Sequence, residues 1–194
     1  MFEFNKTLET DKILLRPLVI EDLEKFVLLT KDKNMWYYFT HDLSDRDDLE
    51  DWVNTAIKQM EKKTRLTFTI IDKETKNIIG SSSFGNILEQ HKCIEIGWTW
   101  ISKKYQGKKI NNKVKYLMMK YCFEELKFER VEFKTDVLNT FARKALSRIG
   151  ATEEGILRNH MYMTNNRRRD SIYYSVLISE WENIKTTLGK YADS

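Results

Sequence analysis

The chain has 194 residues, with 41% hydrophobic and 12% aromatic residues, one Pro and two Cys. That length fits one domain at roughly 100–200 residues each, the apolar content excludes wholesale disorder, and two cysteines exclude a disulfide framework. The 33 Lys and Arg against 29 Asp and Glu leave a formal charge of +4, which tolerates an anionic ligand but lacks the dense basic stripe of a nucleic-acid binder.

From the N-terminus, MFEFNKTLETDK has no long apolar run, so a secretory signal is not expected. No stretch approaches the roughly 20 apolar residues of a membrane span. A soluble, cytoplasmic protein follows as the expectation. Ile13 to Leu18 is a short apolar run containing the only Pro, Pro17, and reads as a strand. Glu21 to Leu29 puts acids first and apolar residues at helical spacing. Ser44-Asp45-Arg46-Asp47 reads as a helix cap, ahead of a face of Leu49, Trp52, Val53, Ala56, Ile57 and Met60.

The period then changes to two. Leu66, Phe68 and Ile70 alternate with threonines, Ile78 to Phe84 returns after a polar turn, and Ile94, Ile96, Trp98 and Trp100 alternate again. After a loop at Lys103 to Lys109, apolar residues from Ile110 to Leu126 recur at steps of three and four, one wide helical stripe. Cys122 lies on that stripe and reads as core. Val131 to Val137 alternates as a strand. Asn139-Thr140 opens a helix ended by Gly150. Two β-like runs, Ile156 to Met163 and Ser171 to Ile178, flank a polar segment from Asn165 to Asp170, whose Arg167-Arg168-Arg169 reads as a solvated hairpin turn. Trp181 and Leu188 point to a terminal helical turn or two. No linker or repeat divides the chain, so residues 1–194 read as a single domain, an α/β sandwich on a mixed sheet.

The chemistry concentrates in the central strand–loop–helix unit. A helix start offers unpaired amides and the positive end of the macrodipole, a seat for phosphate. Gln106-Gly107-Lys108-Lys109-Ile110-Asn111 stands at such a start: Gly107 permits close backbone approach and the lysines add charge. Neither a Walker loop nor GxGxxG is present, so phosphate binding and an ordinary strand-to-helix turn both remain open here. The cysteines match no zinc spacing, and no metal is expected.

Ile94 to Ile101 followed by Tyr105 to Asn111 resembles the acetyl-CoA-binding motif of the GNAT acyltransferases, Gln/Arg-x-x-Gly-x-Gly/Ala. Leu14-Leu15-Arg16-Pro17-Leu18 resembles the opening strand of the RimJ/RimL-type branch. Asn139 to Leu146 with Ile149-Gly150-Ala151 resembles its second cofactor motif, and Glu154 to Arg158 with Arg169-Asp170-Ser171 its final hairpin. The resemblance covers about Leu8 to Trp181. It implies a splayed, mostly antiparallel sheet of about seven strands flanked by helices, with one parallel pair in the middle. It also implies that acetyl-CoA is wedged there: the pantetheine arm along Trp98, Thr99, Trp100 and Ile101, and the diphosphate on Gln106, Gly107, Lys108, Lys109, Ile110 and Asn111. Asn139 is expected near the pantetheine, with Arg143 and Lys144 within reach of phosphates.

Three positions depart from the pattern. Asn111 replaces the motif's Gly/Ala, a mild change to another small residue. Lys109 replaces the motif's first Gly and is expected to take ordinary helical angles. Ala142 stands where the family often has Ser, the group proposed to protonate the thiolate. Acetyl transfer needs an amine freed of its proton. The candidate bases are Glu95, expected to share a strand face with Gly97 and Thr99, and His160, whose ordinary pKa suits proton transfer. Trp36-Tyr37-Tyr38-Phe39 is expected to line the acceptor side. The resemblance implies transfer to a primary amine by direct attack in a ternary complex, most naturally a protein N-terminus such as that of a ribosomal protein, with no membrane partner, no direct nucleic-acid contact and a homodimer as one assembly. The rival readings are a small amine or aminoglycoside-like acceptor, and a non-catalytic CoA- or ribosome-binding module.

Overall fold

A computed structural model describes residues 2–164 and 166–192; Asn165 lies outside the described residues. In chain order the strands and helices are β1 (Leu8–Glu9), β2 (Ile13–Pro17), α1 (Leu23–Leu29), α2 (Arg46–Glu61), β3 (Leu66–Asp72), β4 (Ile78–Leu88), β5 (Cys93–Ile101), α3 (Ile110–Lys120), β6 (Arg130–Asp136), α4 (Thr140–Arg148), β7 (Thr152–Tyr162), β8 (Arg168–Leu177) and α5 (Trp181–Ala192). The strands form one sheet in the order β1-β2-β3-β4-β5-β6-β8-β7. All its pairs are antiparallel except β5 with β6. The mixed α/β architecture with one central parallel pair is the one the sequence implies, and β1, only two residues long, makes the eighth strand.

The sheet is covered on both faces. Leu66, Phe68 and Ile70 of β3 pack into a core with Val114, Leu117 and Met118 of α3. Trp100 packs into a second core with Phe26 of α1 and Trp52 and Val53 of α2. Double coverage explains why Thr67 and Thr69, the polar half of an alternating strand, are fully buried. Buried hydroxyls need partners: Thr69 donates to Asp22 at 2.6 Å, and Thr67 meets Ser83 at 3.1 Å. Asp45 caps α2, accepting from the Asp47 amide at 2.9 Å, as the sequence indicates.

The long stripe from Ile110 to Leu126 is not one α-helix. α3 stops at Lys120 and continues as a π-helical turn over Tyr121–Glu125, closed by the Leu126 amide on the Tyr121 carbonyl at 3.0 Å. The C-terminal segment forms twelve residues of helix rather than a turn or two. Trp181, Ile184 and Leu188 are buried, the Phe123 and Trp181 rings lie 5.4 Å apart, and the Trp181 indole donates to Glu124 at 2.9 Å. That contact is made between segments distant in the sequence, so local periodicity understates the helix.

Candidate functional site

β5 and β6 pair only over Cys93–Glu95 against Arg130–Glu132. Beyond Glu95 the two strands part. The opening coincides with a β-bulge: Ser81 and Ser83 of β4 face Trp100 and Gly97 of β5, so Trp98 and Thr99 together stand opposite Ser82. The extra residue is Trp98, whose φ of 50° is left-handed, a conformation costing a bulky side chain roughly 1–2 kcal/mol. The bulge reverses the alternation. Ile94 and Ile96 face the α3 core, whereas Trp100 faces the α1–α2 core. Thr99 therefore turns toward α3, where it meets Ser82 at 2.7 Å. It does not share the face of Glu95 and Gly97 as the alternation predicts.

Glu95 is 3% exposed. Its Oε2 accepts from the Asn86 amide at 2.6 Å and from the Lys134 ammonium at 2.9 Å. Its Oε1 turns toward Gly97 and lies 2.9 Å from where a Cβ there would stand. Gly97 thus keeps a gap beside one carboxylate oxygen while two donors fix the other. His160 of β7 lies on the same side: its ring centroid is 6.0 Å from that of Tyr173, and its Nδ1 is buried without a partner. Desolvation first, then the charges of Lys134, Arg169 and Arg168, hold its imidazole below the usual value. The ring is therefore neutral at pH 7 and able to accept a proton.

On the α3 face of the opening stands Lys115, which the sequence reading missed because it sits within an apolar stripe. It is 5% exposed. Its ammonium donates to Thr99 of β5 at 2.8 Å and lies 5.5 Å from the Phe133 ring of β6, so it bridges the parted strands. Burial pushes its pKa down to about 7, against a smaller pull from Glu95. Lys134 and Asn86, which hold Glu95, were likewise not singled out.

The loop after β5 leads to α3 as expected, with one correction. Lys109 is not helical: it stands at φ 60°, ψ 10°, in the left-handed region. Gly107 at φ 77° and Lys109 together turn the chain from a short 3₁₀ turn (Lys103–Tyr105) into α3. The Lys109 carbonyl takes the amides of Asn112 and Lys113, while the first-turn amides of Ile110 and Asn111 have no intrahelical acceptor. Nothing stands within 4 Å of a Cβ built on Gly107, so its backbone faces open space. Lys108 and Lys109 are exposed there, and the Gln106 amide ties the loop back to the Ile101 carbonyl at 2.9 Å.

Asn139 caps α4, accepting from the Ala142 amide at 3.0 Å. Arg143 turns to the sheet: it donates to the Tyr174 hydroxyl at 3.3 Å and the Val137 carbonyl at 3.2 Å, and lies 3.6 Å from Glu153. Lys144 is exposed. The turn read as solvated is partly internal. Arg169 is 7% exposed, and Arg167 pairs with the buried Asp136. Trp36 and Phe39 line a cleft with His41, Trp52, Trp98 and Trp100, while Tyr37 is exposed. Both cysteines are buried. Burial raises both thiols, that of Cys93 to about 11, so neither is a nucleophile at neutral pH.

A family model described as acetyltransferase (GNAT) domain matches residues 12–152. The "Putative ribosomal N-acetyltransferase YdaF" of Bacillus subtilis is 29% identical over 178 residues, covering 89% of this chain and 93% of that protein. A second B. subtilis protein, "Uncharacterized N-acetyltransferase YoaA", is 25% identical over 88% of this chain and 96% of its own length. The crystal structure of a GCN5-related N-acetyltransferase from Brucella melitensis superposes with a TM-score of 0.89 at 25% identity, covering 97% of this chain and 86% of that one.

Proposed function

The chain belongs to the GNAT acetyltransferase family, and on that premise we propose that it carries acetyl from acetyl-CoA to a protein N-terminal amine, with residues 1–194 acting as one catalytic domain. The observation that carries this reading is the parting of β5 from β6 directly beyond a buried carboxylate held by Asn86 and Lys134. An unpaired strand edge accepts an extended amide chain by strand addition, which suits pantetheine along Trp98 to Ile101. The amides at the start of α3, with exposed Lys108 and Lys109 beside them, suit a diphosphate. Exposed Lys144 of α4 suits a further phosphate, and Asn139 lies at the N-terminal end of the same helix.

The chemistry follows from what these side chains can hold. The acceptor arrives as an ammonium ion and loses one proton to solvent. The neutral amine attacks the thioester carbonyl carbon in the gap over Gly97. As the C–N bond forms and the C–S bond breaks, Oε1 of Glu95 takes the proton the nitrogen sheds, with neutral His160 as the second base within the cluster. The sulfur leaves as a thiolate and takes a proton from Lys115. An ammonium with a pKa of about 7 is a stronger acid than an ordinary thiol near 8.5, so that transfer runs downhill. This supplies the donor that Ala142 cannot be. Proton exchange with solvent then resets Glu95 and Lys115.

The protein acceptor is supported by the name of the B. subtilis relative. It is tested by offering acetyl-CoA with a panel of N-terminal peptides and of small amines, reading free thiol. Turnover of peptides with the acetyl group on the terminal amine is expected; turnover of small amines alone removes the protein acceptor.

A further inference from the structure

Arg65 is a buried cation with no counter-ion among the described residues: it is 7% exposed, and no carboxylate there lies within ion-pair distance of it. Its Nε donates to Thr67 at 2.9 Å, but one terminal nitrogen is buried with no acceptor. The guanidinium stands 5.4 Å from the Trp52 ring and 5.0 Å from the Trp98 ring, the two indoles that wall the cleft lined also by Trp36, His41 and Trp100. Burial alone holds its pKa down to about 10. A second orphan donor belongs to a residue of the same cleft: Trp100 lines it, and its indole N–H is buried without an acceptor. Both groups can only donate, so what completes them is an oxygen that accepts, and beside a guanidinium a charged one.

The register fixes where this lies relative to the reaction. Leu66 pairs with Phe84, which sets Arg65 opposite Gly85, and Gly85 pairs with Glu95. A Cβ on Gly85 would stand 3.7 Å from the Arg65 side chain and 2.6 Å from the Trp98 ring. Arg65, Gly85 and Glu95 thus form one row across three strands, with the backbones of Arg65 and Glu95 about 10 Å apart. The Trp98 indole lies over the glycine between them. Lys134, the partner of Glu95, reaches the same indole at 5.8 Å. Trp98 itself is half-buried, so the wall nearest the guanidinium reaches solvent.

From this row we infer that the acceptor carries a carboxylate a few bonds from its reacting amine, with the amine at Glu95 and the carboxylate taken by Arg65 and the Trp100 indole. The assignment rests on Glu95 marking the amine site. The carboxylate has two sources, an acidic side chain near a peptide N-terminus or the acid group of a small amino acid. A guanidinium held by one threonine between two indoles and left without a carboxylate fits either source and wastes desolvation in the absence of both.

The test compares charged and neutral members of two pairs: C-terminally amidated peptides beginning Ser-Glu or Ser-Gln, and 6-aminohexanoic acid or its amide. Dissociation constants are measured by calorimetry on protein saturated with a non-transferable acetyl-CoA analogue, and kcat/KM with acetyl-CoA itself. In at least one pair the charged member is expected to bind tenfold or more tightly, and the pair that shows this names the source. The charged-to-neutral ratio falls to about one in Arg65→Gln, survives in part in Arg65→Lys, and drops in Trp100→Phe, whatever the absolute rates. Equal binding of both members in both pairs, including no binding by either, overturns the inference, as does a ratio that survives Arg65→Gln. If Arg65→Gln fails to fold, the wild-type ratios together with Trp100→Phe decide in the same way. A ratio of one with acetylation intact removes only the carboxylate subsite; a high ratio without acetylation of either member removes only the catalytic reading.

Discussion

Replacing Lys115 by Met is expected to stabilise the protein while impairing it. The lysine is buried beneath the parted strands and its pKa is held at about 7 against 10.5 unfolded. For a lysine whose folded value is lowered, the unfolded chain binds more protons. Stability is therefore lowest below the folded pKa and rises with pH between about 7 and 10.5. At pH 7 the penalty is about 4 kcal/mol at 1.36 kcal/mol per unit. Methionine, similar in length, removes that penalty but forfeits the hydrogen bond to Thr99, about 1 kcal/mol, and the approach to Phe133, of similar size. Thr99 keeps Ser82 as a partner. The net gain at pH 7 is about 2 kcal/mol, and it shrinks to about zero at pH 9, where the wild-type penalty has fallen to about 2 kcal/mol. Paired urea titrations at the two pH values measure both differences, other titrating groups being common to the two proteins. A variant less stable than wild type at pH 7, or a difference independent of pH, refutes the reasoning. The same variant is expected to release CoA more slowly, since the thiolate loses its proton donor.

Four further substitutions probe other parts of the site. Glu95→Gln removes the base and is expected to lower kcat by about 10²–10⁴-fold with acetyl-CoA affinity unchanged, measured by thiol release and calorimetry. Lys109→Gly frees the left-handed position and raises stability by about 1 kcal/mol, yet weakens acetyl-CoA binding and flattens its salt dependence because one cation leaves the diphosphate seat. Asn139→Ala deletes the α4 cap and costs about 1 kcal/mol in chemical denaturation; a loss of acetyl-CoA affinity beyond that would give the side chain a direct role in binding. Gly85→Ala puts a methyl group into the Trp98 indole, and is expected to lower kcat/KM for the acceptor while leaving acetyl-CoA affinity intact.

The sequence carries the element order and the loop-to-helix start because both are local. Alternation marks β3 and β5, and Gly107 ahead of an apolar stripe marks α3. What it does not carry depends on neighbours in space. The bulge at Trp98 is created by a register mismatch with β4, so strict alternation wrongly joins Thr99 to the face of Glu95. Lys109 resembles any helix-start lysine, because the left-handed turn it makes after Gly107 leaves no mark in its residue type. Glu95 and His160 are legible as candidates, and the structure brings them to one side of the sheet. Lys115, Arg65 and Lys134 are not legible: Lys115 sits within an apolar stripe, Lys134 takes a polar place in an alternating strand and Arg65 follows Lys62-Lys63-Thr64, so each reads as solvated until both faces of the sheet are covered. The Arg167–Arg169 turn misleads for the same reason: Asp136, its buried partner, lies on another strand.

The central claim is that the opening between β5 and β6 delivers an acetyl group past Glu95. Mixing the protein with acetyl-CoA and an N-terminal peptide under single-turnover conditions, and following CoA release together with the mass of the peptide, tests it most directly. The account predicts stoichiometric release with the acetyl group on the terminal amine, slowed in Glu95→Gln without loss of acetyl-CoA binding. Release at the same rate from Glu95→Gln, or tight binding of acetyl-CoA with no transfer to any amine, contradicts it.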